Sequence, residues 1–270
     1  MVDLIGQYDK IQAEVDKAVL DVIRSSAYIN GPEVKGFQQE LESYLGVKHV
    51  IPCANGTDAL QIVMMALGLQ PGDEVITADF TYVATAEVIA LLKLKPVLVD
   101  VDKSTFTIDV EALKKAITPR TKAVIPVHIA GRPADLDGVL EFAHKHHLHV
   151  IEDAAQAHYA EWRGTKVGAI GDFGTFSFQA SKNLNAGEGG IILTNNEELA
   201  DRAWSVTHVG RVRSGGKYRH EVLGGNYRMT EFQSALLRTQ MQRLPEQTQK
   251  RTENAKYLRS RLLAIEGIEL

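Results

Sequence analysis

A single cysteine, Cys53, stands in 270 residues, which excludes an intrachain disulfide framework. No apolar run reaches membrane-spanning length and no signal-peptide pattern is present, so the cytoplasm is the expected compartment and no membrane partner is expected. Neither sign of charge dominates. Thirty basic against 34 acidic residues leave a formal net charge of -4 and a pI near 6.1. That balance offers no general attraction for nucleic acid. Internal repeats and low-complexity segments are missing too. The glycines of Gly168-Ala169-Ile170-Gly171-Asp172-Phe173-Gly174 lack the dinucleotide fingerprint and do not follow the first strand, so a nicotinamide enzyme is not expected. His144, His146, His147 and His149 crowd together, but their spacing spreads imidazoles around a helix end. No metal site is expected there.

What is present is ordinary in bulk: 44% hydrophobic and 24% charged residues, in a chain long enough for one large domain or two smaller ones. Ile11, Val15, Val19 and Val22 recur at helical spacing and predict an amphipathic first helix, which Asn30-Gly31-Pro32 ends. A second helix is expected over Glu33 to Leu45. From Val47 onward, short β-rich runs alternate with helical ones: His49 to Cys53, Glu74 to Thr77, Pro96 to Asp100, Lys122 to Val127, Leu148 to Glu152, Phe173 to Phe178 and Ile191 to Thr194. Such alternation predicts an α/β fold, a mostly parallel central sheet with helices on both faces. A helix is expected near Glu197 to Val206, a long loop over residues 209–226, and a helical stretch from Thr230 to about Leu244. Pro245 either kinks that helix or opens the next one.

Ligands of open parallel sheets gather at the carboxyl ends of the strands, and the chemically suggestive residues fall there. Lys182 lies in Ser181-Lys182-Asn183-Leu184-Asn185-Ala186-Gly187-Glu188-Gly189-Gly190, a glycine-dense loop after a strand. A lone lysine in a loop is usually a solvated charge. Its weight comes from Asp153 and Gln156, at the end of the hydrophobic run Val150-Ile151-Glu152-Asp153-Ala154-Ala155-Gln156. A lysine amine that holds an aldehyde as a Schiff base, with a carboxylate that keeps a pyridine nitrogen protonated, is what pyridoxal phosphate (PLP) requires. Lys182 and Asp153 suit those two roles, and Gln156 could donate to the ring oxygen. The bland alternative makes Asp153 a helix cap. Asn55-Gly56-Thr57-Asp58 opens a helix and so offers amides and a dipole to a phosphate, although such a cap is more often only a cap. Ser177, five residues before Lys182, could meet the same phosphate. Tyr82 could stack on the ring, though a tyrosine is more often a core or surface aromatic.

Four separated motifs carry a resemblance: Asn55-Gly56-Thr57; Glu152-Asp153-Ala154-Ala155-Gln156-Ala157-His158; Ser177 to Lys182 with Gly187-Glu188-Gly189-Gly190; and Gly225-Asn226-Tyr227-Arg228-Met229-Thr230. In order and spacing they resemble the DegT–StrS sugar aminotransferases, a fold-type-I PLP family. The resemblance spans essentially the whole chain and implies a seven-stranded, mostly parallel sheet in a homodimer with shared active sites. It implies that Lys182 is the Schiff-base lysine and proton shuttle, that Asp153 pairs with the pyridinium, and that Gln156 approaches the phenolic oxygen. Gly56, Thr57 and Ser177 would hold phosphate, Tyr82 would stack, and Asn226 would reach the neighbouring subunit's phosphate. His158 and Arg228 would lie near the substrate.

The implied reaction moves an amino group from glutamate, or glutamine, to a keto sugar. The N-terminal half looks most like enzymes of nucleotide-linked sugars. Ser177-Phe178-Gln179-Ala180-Ser181-Lys182 and Glu231-Phe232-Gln233 look closer to members that aminate cyclic ketoses such as inososes. A non-catalytic or regulatory PLP-binding protein is the alternative. Residues 1–244 are expected to form a large PLP-binding domain. Residues 245–270 are expected to form a helix leading into a small C-terminal domain that is largely absent, since family members usually continue further.

Overall fold

The computed structural model of the protein describes residues 3–213 and 219–268. Among the described residues the strands are β1 (His49–Cys53), β2 (Glu74–Ala78), β3 (Lys95–Val99), β4 (Thr121–Ile125), β5 (His149–Asp153), β6 (Glu161–Trp162), β7 (Thr165–Lys166), β8 (Phe173–Ser177) and β9 (Gly190–Thr194). All but the short β6–β7 ribbon join one seven-stranded sheet in the order β1-β9-β8-β5-β4-β2-β3. β9 runs antiparallel to both neighbours, and the other pairs in the sheet are parallel. The expected mostly parallel sheet is therefore present, with one reversed strand.

Alternation along each strand explains why the sheet is covered on both faces. Ile51, Ile125, Ile151 and Ile192 bury into one core with α4 (Gly56–Ala66), α5 (Ala84–Leu91) and α8 (Glu197–Thr207). Their neighbours Val50, Val124, Val150, Ile191 and Leu193 face the opposite cores. Those are closed by α3 (Pro32–Leu45), α6 (Val110–Ala116), α7 (Leu136–His146) and α9 (Glu231–Met241). A strand buried on both faces needs apolar residues at successive positions, which is why these runs read as continuous rather than alternating.

The remaining helices are α1 (Leu4–Asp9), α2 (Gln12–Ser25) and α10 (Leu244–Leu262). The first-helix expectation holds in α2, where Val15 and Val22 are buried. Pro245 settles into the first turn of α10, where its missing N–H costs nothing, so it opens that helix rather than kinking α9. The expected loop over 209–226 runs without helix or strand in its described part, and its residues 214–218 lie outside the described residues. Among the described residues no helix is long and apolar enough to cross a membrane.

Glu231 does work the sequence does not announce. It is 1% exposed, and its carboxylate accepts the amides of Gly31 (2.7 Å), Glu33 (2.7 Å) and Val34 (3.1 Å), at the amino end of α3. A charge far along the chain thus caps a helix whose N-cap, Gly31, has no side chain to do so. Gln233 completes a capping box with Thr230 and donates to the Glu188 carbonyl at 2.9 Å, while Phe232 stacks on Tyr28. The segment Glu231-Phe232-Gln233, which the sequence associates with substrate preference, is occupied with fold contacts. Glu231→Gln should lower stability by roughly 2–4 kcal/mol, because charge-assisted bonds at a helix start are replaced by weaker ones and an amide N–H₂ meets backbone donors. The check is urea denaturation: the midpoint should fall at unchanged slope.

Candidate active site

The carboxyl ends of β1, β2, β4, β5 and β8 open on a cavity of about 670 Å³. Lys182, Asp153, Gln156, Ser177, Gly56, Thr57 and Tyr82 all line it. Seven of the ten residues singled out in the sequence are thus brought together from four separate segments. The other three, His158, Asn226 and Arg228, do not line it.

Adjacent carboxylates at the end of β5 have opposite fates, because successive side chains of a strand point to opposite faces. Glu152 is fully buried and accepts the amides of Gly168 (2.7 Å), Ile170 (2.8 Å) and Gly171 (2.7 Å), with His128 Nε2 at 3.0 Å. The Ala134 amide donates to His128 Nδ1 at 3.1 Å, so Nδ1 is the acceptor and Nε2–H donates to Glu152. Glu152 is therefore a structural anchor for the glycine segment 168–171. Asp153, 5% exposed, faces the cavity. Its Oδ1 accepts the Ala155 amide at 3.1 Å and its Oδ2 accepts the Thr85 hydroxyl at 2.8 Å. Sequence reading missed Thr85, since nothing local links a helix-start threonine to a carboxylate 68 residues on.

Lys182 is held by a strap between β8 and β9. Phe178 N–H reaches the Gly189 carbonyl (2.7 Å), Ala186 N–H the Phe178 carbonyl (2.9 Å) and Ala180 N–H the Gly187 carbonyl (3.0 Å). Gly187 and Gly189 adopt φ of +80° and +157°, conformations that side chains resist, so the glycine density seen in the sequence is a closing requirement of the strap. Lys182 itself is half-buried. Burial lowers its pKa from the usual lysine value, and the attraction of Asp153 works against that shift. An amine so placed gives up its proton more readily than a solvated lysine and is a better nucleophile near neutrality.

At the other end of the cavity α4 begins. The Asn55 side chain accepts the Asp58 amide at 2.8 Å, leaving the Gly56 and Thr57 amides of the first turn without a partner among the described residues. Gly56 must be glycine here: a Cβ on it would come within 2.6 Å of Ser177 Cβ. That contact brings the Ser177 hydroxyl against the helix start. Asp58 also lines the cavity. Burial raises its pKa, countered by the Asn55 amide, which donates to it at 2.8 Å. Gln156 Oε1 accepts the Ala130 amide at 2.7 Å, so its carboxamide turns the N–H₂ group away from that contact as a donor. Tyr82 is 68% exposed at the rim.

His158 departs from expectation. It is buried against Phe176 and Phe178 (ring centroids 5.0 and 5.6 Å), and neither ring nitrogen meets the geometry of a hydrogen bond among the described residues. Burial, with Lys182 second, pulls its pKa down to about 3, so it is neutral at physiological pH. The Gln156-to-His158 turn thus places the ring behind the cavity's lining, against Phe176 and Phe178. Asn226 is exposed, on a segment bridged to His208, and Arg228 next to it is half-buried. The histidines His144 and His146 lie in the last turn of α7, His147 is its left-handed C-cap, and His149 sits on β5 at 3.6 Å from Asp172.

The chain is similar to known proteins in sequence and in fold. A pleiotropic regulatory protein of Geobacillus stearothermophilus is 44% identical over 256 residues, covering 94% of this chain and 68% of that protein. The dTDP-3-amino-3,4,6-trideoxy-alpha-D-glucose transaminase of Streptomyces venezuelae is 40% identical over 269 residues, 99% of this chain and 70% of its own length. A crystal structure of a DegT DnrJ EryC1 StrS aminotransferase from Brucella abortus superposes with a TM-score of 0.94 at 38% identity, over 98% of this chain and 72% of that one. This chain thus spans about two thirds of the length of the relatives it matches. The model of the DegT/DnrJ/EryC1/StrS aminotransferase family matches residues 9–270, and the chain belongs to that family.

Proposed function

We propose that this chain is the cofactor-binding and catalytic part of a PLP-dependent aminotransferase that moves an amino group from glutamate, or glutamine, to a keto sugar of the nucleotide-linked kind. One observation carries this: a half-buried amine of lowered proton affinity, a doubly hydrogen-bonded carboxylate and the open amides of a helix start line one cavity. That donor set fits PLP, whose aldehyde, pyridine nitrogen and phosphate need those three partners. Bound there, PLP supplies an electron sink for the carbanion formed at the donor's α-carbon and a carrier for the amino group.

The chain's own residues have these roles. Lys182 Nζ would hold the aldehyde, and its amine, when free, would be the cavity's proton carrier. Asp153 keeps the pyridine nitrogen protonated. Gln156 donates through Nε2 to the ring oxygen. Gly56, Thr57 and Ser177 seat the phosphate, and Tyr82 covers the ring at the cavity rim. Asn226, exposed and away from its own chain's cavity, reaches the phosphate of a second copy in a homodimer, and Arg228 is the cation offered to substrate. Residues 1–244 form the large domain, and 245–270 lead into a smaller one.

A regulatory, non-catalytic PLP protein is the second possibility, favoured by the name of the Geobacillus relative. Excess glutamate added to the PLP-loaded protein separates the two. The enzyme converts its cofactor to the amine form, releases 2-oxoglutarate and then aminates a nucleotide-linked keto sugar, all visible by absorbance and mass spectrometry. Retained PLP with no conversion by glutamate or glutamine would establish the regulatory role instead.

A further inference from the structure

Thr85 stands in the first turn of α5, where a threonine hydroxyl ordinarily satisfies its own helix. Here it turns outward instead. It is 1% exposed and lies 2.8 Å from Asp153 Oδ2, with Thr81 Oγ1 at 3.1 Å. An ionised carboxylate only accepts hydrogen bonds, so the Thr85 proton points at Asp153. A hydroxyl has one proton. The Thr81–Thr85 contact must then be made by the Thr81 proton, which orders two hydroxyls into a directed chain, Thr81 to Thr85 to Asp153. Each bond polarises the next. At the other oxygen the Ala155 amide, at 3.1 Å, fixes the carboxylate plane from the opposite side.

We propose that Thr81 and Thr85 are positioning residues for the pyridinium partner: their relay holds the Asp153 carboxylate in the orientation that faces the cavity and stabilises its negative charge. This rests on the PLP role proposed for the cavity. The relay favours the ion pair of carboxylate and protonated pyridine over the neutral pair, because the neutral acid has less charge for Thr85 to stabilise. Both threonines line the cavity, but Thr85 is almost fully buried with its hydroxyl engaged by Asp153, so it acts through that carboxylate.

The test loads wild type, Thr85→Val, Thr85→Ser and Thr81→Val with PLP labelled with nitrogen-15 in the ring and records the pyridine nitrogen shift, alongside thermal unfolding. Valine keeps the shape of threonine and removes the proton; serine restores it. The relay predicts a shift in Thr85→Val displaced toward neutral pyridine and recovered in Thr85→Ser. Thr81→Val, at a position that is not fully buried, should move the same way by less. Glutamate conversion should fall roughly 10- to 100-fold in Thr85→Val and about threefold in Thr81→Val, the ranges expected for a charge-assisted and a neutral hydrogen bond. An unchanged nitrogen shift in Thr85→Val with cofactor bound, or the same displacement in Thr85→Ser, overturns the relay while leaving the PLP role intact. Wild-type protein that binds no PLP overturns that role and the relay with it.

Discussion

Lys182→Ala should abolish amino transfer, by roughly 10⁴-fold or more, because one substitution removes both the covalent tether and the proton carrier. In the wild type, borohydride reduction followed by peptide mapping should place a pyridoxyl group on the peptide that contains Lys182. Lys166 is the lysine to compare. Its Nζ sits 2.6 Å from Glu161 Oε1 and 3.9 Å from the Tyr159 ring centroid, contacts that hold it away from the cavity. An adduct on Lys166 and not on Lys182 would overturn the assignment. The substitution should not cost stability in the cofactor-free protein. Burial lowers the Lys182 pKa in the folded state, so the unfolded chain binds the proton more tightly. The protonated lysine therefore opposes folding at pH values below its folded pKa, and that opposition fades as pH rises through the folded value toward the unfolded one. Alanine removes it. A melting temperature at neutral pH at or above that of the wild-type apoprotein is the expected result.

Asp153→Asn is expected to keep much of the cofactor yet to slow glutamate conversion by about two or more powers of ten. The hydrogen bonds explain why so small a change is so damaging. The Ala155 amide can only donate, so the substituted side chain must offer it the carbonyl oxygen, whereas the Thr85 hydroxyl can turn and accept. The new N–H₂ group then occupies the Oδ2 side. A donor there favours an unprotonated pyridine nitrogen and removes the electron sink. Single-turnover absorbance after mixing with glutamate, combined with a cofactor-binding titration, separates lost chemistry from lost binding. Near-wild-type conversion in a variant that retains PLP would reduce Asp153 to a structural residue.

Much of the scaffold was legible in the chain. β1 spans the run His49 to Cys53 that the sequence marks, and the other strands of the seven-stranded sheet differ from their runs by at most two residues at either end, since hydrophobic continuity reports burial on both faces but not where the ladder stops. One such shift matters. The strand expected to end at Glu152 runs on to Asp153, and the period of two then sends Glu152 into a cage of glycine-segment amides and Asp153 into the cavity.

By itself the sequence determined the alternating α/β pattern, the strand-end clustering of Asn55-Gly56-Thr57, Asp153 and Lys182, and the glycines that close the strap, because these depend on local periodicity and backbone conformation. Tertiary structure alone decided which polar residues face the cavity and which serve the fold. His158, two residues after Gln156, turns into a nest of phenylalanines; Glu231 caps a helix 200 residues earlier in the chain; Thr85 reaches Asp153 across 68 residues. Such partnerships are set by how strands and helices stack in space, and a buried polar group takes whichever donor or acceptor the packing delivers, a choice that no spacing along the chain records.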